Sequence, residues 1–185
     1  MKKFLVLIAL AFAFAAPAAM ASDWDYVGAQ YTATDLQDRS GDGFKVEASK
    51  AIGSHLFVQG GYRNGFDSDL KAGQASLALG AHTLLGAKTD GYVLARATAL
   101  VDDARDADKW GYEAEAGVRH LLTEKLEVRG AVVATELRSI SSVKDVRYFG
   151  KVGAEYAITE QFRVGADVLA KNGVTEGQVG FRVYF

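Results

Sequence analysis

The chain contains no cysteine, so disulfides, thiol nucleophiles and thiolate metal ligands are all excluded. Its one proline is Pro17, and from there to Phe185 nothing interrupts a β-ladder by removing a backbone donor. Past the first twenty residues no run of about 18 apolar residues occurs, which excludes a membrane-spanning helix. A surplus of basic charge is also missing. The formal net charge is −2, and nothing points to nucleic acid. Mean hydropathy is near zero, as expected of a chain that alternates apolar and polar residues.

The N-terminus has a separate logic. Lys2 and Lys3 precede an apolar run from Phe4 to Ala16, Pro17 ends it, and Ala19-Met20-Ala21 forms an A-x-A cleavage site. Residues 1–21 are therefore expected to be a cleaved secretory signal peptide. Residues 22–185 remain as one domain. Removing Lys2 and Lys3 from the 21 basic residues leaves 19 against 23 acidic ones.

What the rest of the chain has in abundance is a repeated turn. The segments 51-AIGSHLFV-58, 84-LLGAKTDGYVL-94, 121-LLTEKLEV-128 and 157-AITEQFRV-164 each run from an apolar pair through Gly or Thr into a new alternation. The second is the longest. The spacing matches one hairpin per repeat. Between them lie polar segments, 35–43, 64–73, 102–109, 137–145 and 172–176, read as loops. This predicts ten strands: 26–34, 43–52, 55–64, 73–85, 91–101, 110–122, 125–136, 146–158, 161–171 and 177–185. Eight would remain if one hairpin were misread. Strands of this length suffice to cross a bilayer when tilted.

Each strand presents two lists. One is apolar and free of charge, for example Val27, Ala29 and Tyr31, then Ala75, Leu77 and Leu79, then Val93, Ala95 and Ala97. The other carries Lys45, Glu47, Arg63, Arg96, Glu113, Glu115, Arg119, Glu127, Arg129, Lys151, Glu155, Arg163, Asp167 and Arg182, with interspersed glycines. A soluble up-and-down barrel would turn the apolar list inward; a membrane barrel would turn it out to lipid. The interspersed glycines favour the second arrangement, because a narrow lumen needs room opposite long Arg and Glu side chains. A Lys or Arg facing lipid at the midplane would cost about 2–4 kcal/mol, and the apolar list has none. The fold class is thus an all-β, closed, antiparallel transmembrane barrel.

On these residues the chain resembles the small Gram-negative outer-membrane β-barrel proteins of the OmpA/OmpX-like superfamily. In that superfamily the last strand ends on an aromatic residue, and the assembly machinery recognises it. Val179, Phe181, Val183 and Phe185 match that pattern. The pattern 91-GYVLARATA-99 followed by 111-GYEAEAGVRHLL-122 is similar to a narrower group, whose members are described as outer-membrane barrels or as secreted quorum-sensing and immune-elicitor factors. The signalling role there is tied to a modified N-terminal tyrosine peptide, which corresponds here to 22-SDWDYVGAQY-31; Tyr26 is read instead as an interfacial girdle residue. The resemblance implies insertion by the barrel-assembly machinery with periplasmic chaperones. It also implies contact with outer-membrane lipid and lipopolysaccharide, and a monomeric state.

Chemistry is sparse. Outer-membrane enzymes place His with Asp, Glu or Ser near the outer rim, whereas His55, His82 and His120 fall at or near the opposite end. No His-Asp pair and no metal-ligand spacing stands out, so no enzyme activity and no cofactor is expected. The acidic loop residues Asp35, Asp38, Asp42, Asp67, Asp69, Asp102, Asp103, Asp106 and Asp108 are read as solvated. Divalent-ion bridging to lipopolysaccharide phosphates is the alternative. The charged list is either a plug of ion pairs or the lining of a narrow porin-like pore. The expected role is structural or pore-forming, with surface interaction or secreted signalling as alternatives.

Overall fold

A computed structural model describes residues 23–36, 39–65, 73–101, 110–137, 146–171 and 174–185. The proposed leader and the acidic residues Asp38, Asp67, Asp69, Asp102, Asp103, Asp106 and Asp108 lie outside these residues. Ten strands form: β1 (Tyr26–Leu36), β2 (Arg39–Ile52), β3 (Leu56–Gly65), β4 (Gly73–Gly86), β5 (Thr89–Val101), β6 (Trp110–Leu121), β7 (Leu126–Leu137), β8 (Val146–Ala157), β9 (Phe162–Lys171) and β10 (Val174–Tyr184). Each pairs antiparallel with its sequence neighbours, and β1 pairs with β10 from Tyr26↔Tyr184 to Leu36↔Val174. The barrel is closed and no edge remains for another chain to pair with. The alternative of eight strands is excluded.

The repeated turns fall at one end. Between β6 and β7 the Thr123 hydroxyl accepts from the amides of Lys125 and Leu126 (3.2 and 3.0 Å), and the Leu122 amide donates to the Leu126 carbonyl. The β8–β9 turn repeats this with Thr159 accepting from Phe162 at 2.9 Å. The β2–β3 turn uses Gly53 instead, whose φ of +69° is the left-handed conformation that glycine adopts without penalty. The 84–94 turn, expected to be the longest, is the tightest. Only Ala87 and Lys88 separate β4 from β5, because a register shift between Leu84 and Gly86 absorbs the extra residue.

At the opposite end two expected loops shorten. Leu36 pairs with Arg39 and Lys171 pairs with Val174, so most of 35–43 and 172–176 is ladder. Polarity misleads there: Asp35, Asp42, Thr175 and Glu176 carry loop-like side chains, yet their backbone groups are paired.

The section of the barrel is inverted relative to a soluble protein. Leu77, Leu79, Val93, Val132, Val152 and Val179 are all more than half exposed on its outer face. Phe44, Trp110, Tyr112 and Tyr148 are exposed towards the loop end of the same face, and Tyr156 and Phe181 towards the turn end. Aliphatic chains at mid-height with aromatics above and below is the surface a bilayer requires. Such a patch on a water-soluble monomer would be an aggregation liability.

Candidate functional site

Because side chains alternate, the inward positions of all ten strands converge on one axis. Every charged residue assigned to the polar list faces that axis. They stack in three levels, named here from the turn end upward.

The lowest level is a floor that is largely aromatic. Trp24, just before β1, folds under the barrel mouth and stacks on Phe57 with ring centroids 3.8 Å apart. Tyr92 meets the Trp24 ring edge-on at 5.3 Å, and Leu94 and Ala78 complete the buried cluster. The Trp24 indole donates to Asp90 Oδ2 (3.2 Å), and the Arg119 guanidinium lies 4.8 Å over the indole while donating to the Asp23 carbonyl (3.2 Å). Gly80 is what admits the Phe57 ring, since a Cβ there would occupy the ring's place. Burial raises the Asp23 carboxyl above the ordinary carboxylate range; the Asp25 amide, which donates to it at 3.0 Å, and the Arg119 and Arg163 charges only partly offset this.

The middle level is a web of ion pairs. Arg119 grips Glu127 through two hydrogen bonds of 2.9 Å, and Arg129 grips Asp167 through two of 2.6 and 2.7 Å. Arg182 bridges Glu155 (2.6 Å) and Glu47 (3.0 Å). Arg163 lies over the Tyr184 ring at 4.3 Å and within 3.8 Å of both Glu127 and Glu155. The Tyr184 hydroxyl donates to Glu155 at 2.8 Å. Gly153 leaves the space that the Asp167 carboxylate fills. Fork-to-fork pairs of this kind are the strong form of a charged hydrogen bond. A single deletion leaves a buried charge behind, which costs about 3–5 kcal/mol.

The upper level is looser. Lys45 pairs with Glu47 (2.5 Å), Lys151 with Glu115 (3.0 Å), Arg96 with Glu113, and Arg63 with Glu176 (2.8 Å). These pairs surround a cavity of about 250 Å³. A second cavity of about 50 Å³ is enclosed by Trp24, Tyr92 and Leu94 of the floor, Arg129, Asp167 and Arg182 of the web, and part of the upper level. Lys45, Glu47, Gln59, Arg96, Glu115, Lys151 and Gln178 border both and form the waist between them.

Several inward residues escaped the sequence reading. Tyr26 is not an interfacial residue: it is 4% exposed, its hydroxyl accepts from Gln59 at 2.6 Å, and Arg182 covers its ring at 4.9 Å. Parity already required this, because Val27, Ala29 and Tyr31 face outward. The same parity carries Phe57 with Gln59 and Tyr92 with Arg96. Asp90 was also missed, and it lies 3.3 Å from His82 Nδ1. A His-Asp pair therefore exists, against expectation, but it is packed against Trp24 in the floor. The terminal residues Val179 and Phe181 are exposed on the outer face, while Phe185 is half-buried and donates its amide to the Asp25 carbonyl at 3.1 Å.

No family model matches the chain, and no curated protein matches it. Among solved structures it is similar to the NanC porin, at 9% identity and a TM-score of 0.53 over 86% of this chain and 99% of that one. It is also similar to the KdgM porin solved in complex with disordered oligogalacturonate, at 10% identity and a TM-score of 0.51 over 85% and 99%. Identities this low speak for architecture alone: the chain shares with these porins the fold of a closed antiparallel β-barrel.

Proposed function

We propose that this protein is a non-enzymatic outer-membrane barrel, structural rather than conducting, exported by a leader that is cut after Ala21. The observation that carries the reading is the inverted section: paired charges inside, bare aliphatic chains outside. Lipid is the solvent that makes such an exterior favourable. The floor of Trp24 and Phe57 beneath the ion-pair web supports a blind lumen over a pore. In this reading Val179, Phe181, Val183 and Phe185 are the signal that the barrel-assembly machinery recognises after periplasmic chaperones deliver the chain. The monomer then sits among outer-membrane lipid and lipopolysaccharide.

Two measurements test the proposal. On a density gradient the protein should travel with outer-membrane fragments; recovery from the culture fluid would replace the barrel reading with the secreted-factor one. In a planar bilayer the wild type should be silent. Steady unitary current steps would make the lumen a pore.

A further inference from the structure

In three of the four ion pairs around the upper cavity, the acid is the hidden partner. The side chains of Glu47 and Glu115 are each 3% exposed, against 21% for Lys45 and 19% for Lys151. Arg63 is 34% exposed against 14% for Glu176. Only Arg96 reverses the order, at 16% against 22% for Glu113. The lumen as a whole is close to neutral, yet the wall that the cavity presents is cationic. Each ammonium has three donors. Lys151 spends its contacts on one carboxylate, Glu115, and Lys45 on Glu47. Donors therefore remain for a guest.

Neutral groups continue the lining: the Gln59, Gln74 and Gln178 amides and the Ser76, Thr98 and Thr135 hydroxyls. These suit a molecule with hydroxyls as well as charge. The cavity's volume is that of a small metabolite rather than a polymer. Its depth is limited by the waist, so a guest arriving from the loop end has nowhere further to go.

We infer that the upper cavity is a binding site for a small hydroxylated oxyanion, a carboxylate or phosphate of about monosaccharide size, held by Lys45 and Lys151 with Arg63 at its mouth. The site rests on the blind-barrel reading only for its dead end, since the cationic wall is independent of whether the floor is closed.

The test uses the protein extracted in detergent from membranes of cells expressing the full chain. Titration calorimetry compares gluconate and glucose 6-phosphate with glucose and with glucosamine. Both anions should bind at one per barrel, and glucose and glucosamine should not. Lys45→Gln and Lys151→Gln should each weaken the anions about tenfold, the loss expected for one charge-assisted hydrogen bond. Retained heat-modifiable migration on gels confirms that the variants are folded. Lys50→Gln, on the outer face, serves as a control and should bind as the wild type does. Failure of both anions to bind, binding of glucosamine with equal affinity, or indifference to Lys45→Gln and Lys151→Gln would each overturn the site. Current steps in a bilayer from a protein that still binds anions through Lys45 and Lys151 would uphold the site and refute only the closed floor.

Discussion

Arg129→Gln is the sharpest probe of the ion-pair web. Both Asp167 oxygens accept from Arg129, at 2.6 and 2.7 Å, and Asp167 is 2% exposed. Glutamine restores at most one of these bonds and none of the charge. Glu155, the other acid near Arg129, keeps Arg182 at 2.6 Å and the Tyr184 hydroxyl at 2.8 Å, so the loss concentrates on Asp167. A buried carboxylate left without its partner costs about 3–5 kcal/mol, and the residual glutamine bond places the expectation near about 3 kcal/mol. The double variant Arg129→Gln/Asp167→Asn removes the orphaned charge and should recover more than half of that loss. The assay is urea unfolding of the detergent-folded barrel, followed by tryptophan fluorescence and by gel migration, with the single variants, the double variant and the wild type forming one cycle. A cost below about 1 kcal/mol for Arg129→Gln, the value typical of exposed pairs, would mean that water reaches the pair and that the lumen is not a dry plug. Additive losses in the double variant would refute the coupling itself.

Three further outcomes follow from other parts of the barrel. Asp25→Ala should lower unfolding stability by about 1–3 kcal/mol, because Asp25 accepts from the part-buried amide of Ala51 at 2.6 Å and pairs with Lys50; an unchanged transition in urea would sink this. Leu79→Arg, on the lipid face, should cost about 2–4 kcal/mol and reduce insertion into lipid vesicles, and equal insertion of the variant would contradict the assignment of that face. The Asp23 carboxyl has a folded pKa above its unfolded one, so its protonated form favours folding and its ionised form opposes it. That contribution is present at low pH and lost as pH rises through the folded pKa. Asp23→Asn should therefore be more stable than the wild type at neutral pH and equal to it below about pH 3, where the acid is protonated in both states. A constant difference across that range, measured by urea midpoints, would refute the assignment.

Strand positions were legible because period two is strict over most of the chain and because the Thr- and Gly-based turns punctuate it at regular intervals. The charged lumen was legible for the same reason. What the pattern hid were inward residues that are not polar. Phe57 and Tyr92 share a parity with Gln59 and Arg96, but an aromatic residue near a strand end is equally at home in an interfacial girdle, so side-chain type alone did not assign them. Phase prevailed, because a one-residue slip would have turned an entire strand over. Trp24 was beyond such reasoning altogether: it precedes the first strand, and only the tertiary fold carries it under Phe57. The His82–Asp90 pair joins two strands across a hairpin whose length was overestimated, which put the two residues out of step.

The turns at one end have a consequence for how the barrel comes to exist. Nine of its ten strand pairings join neighbours in sequence, and several are initiated by a turn that closes its own hydrogen bonds. Pairings of that kind form locally and quickly. The tenth, β1 with β10, joins Tyr26 to Tyr184 across almost the whole chain, and its closure entropy is met by no local turn. The kinetic bottleneck is thereby placed at a single seam, where Asp25 ties Ala51, Lys50 and Phe185 together. Until that seam zips, the growing sheet has two open edges, and both belong to the terminal strands of the barrel, β1 and β10.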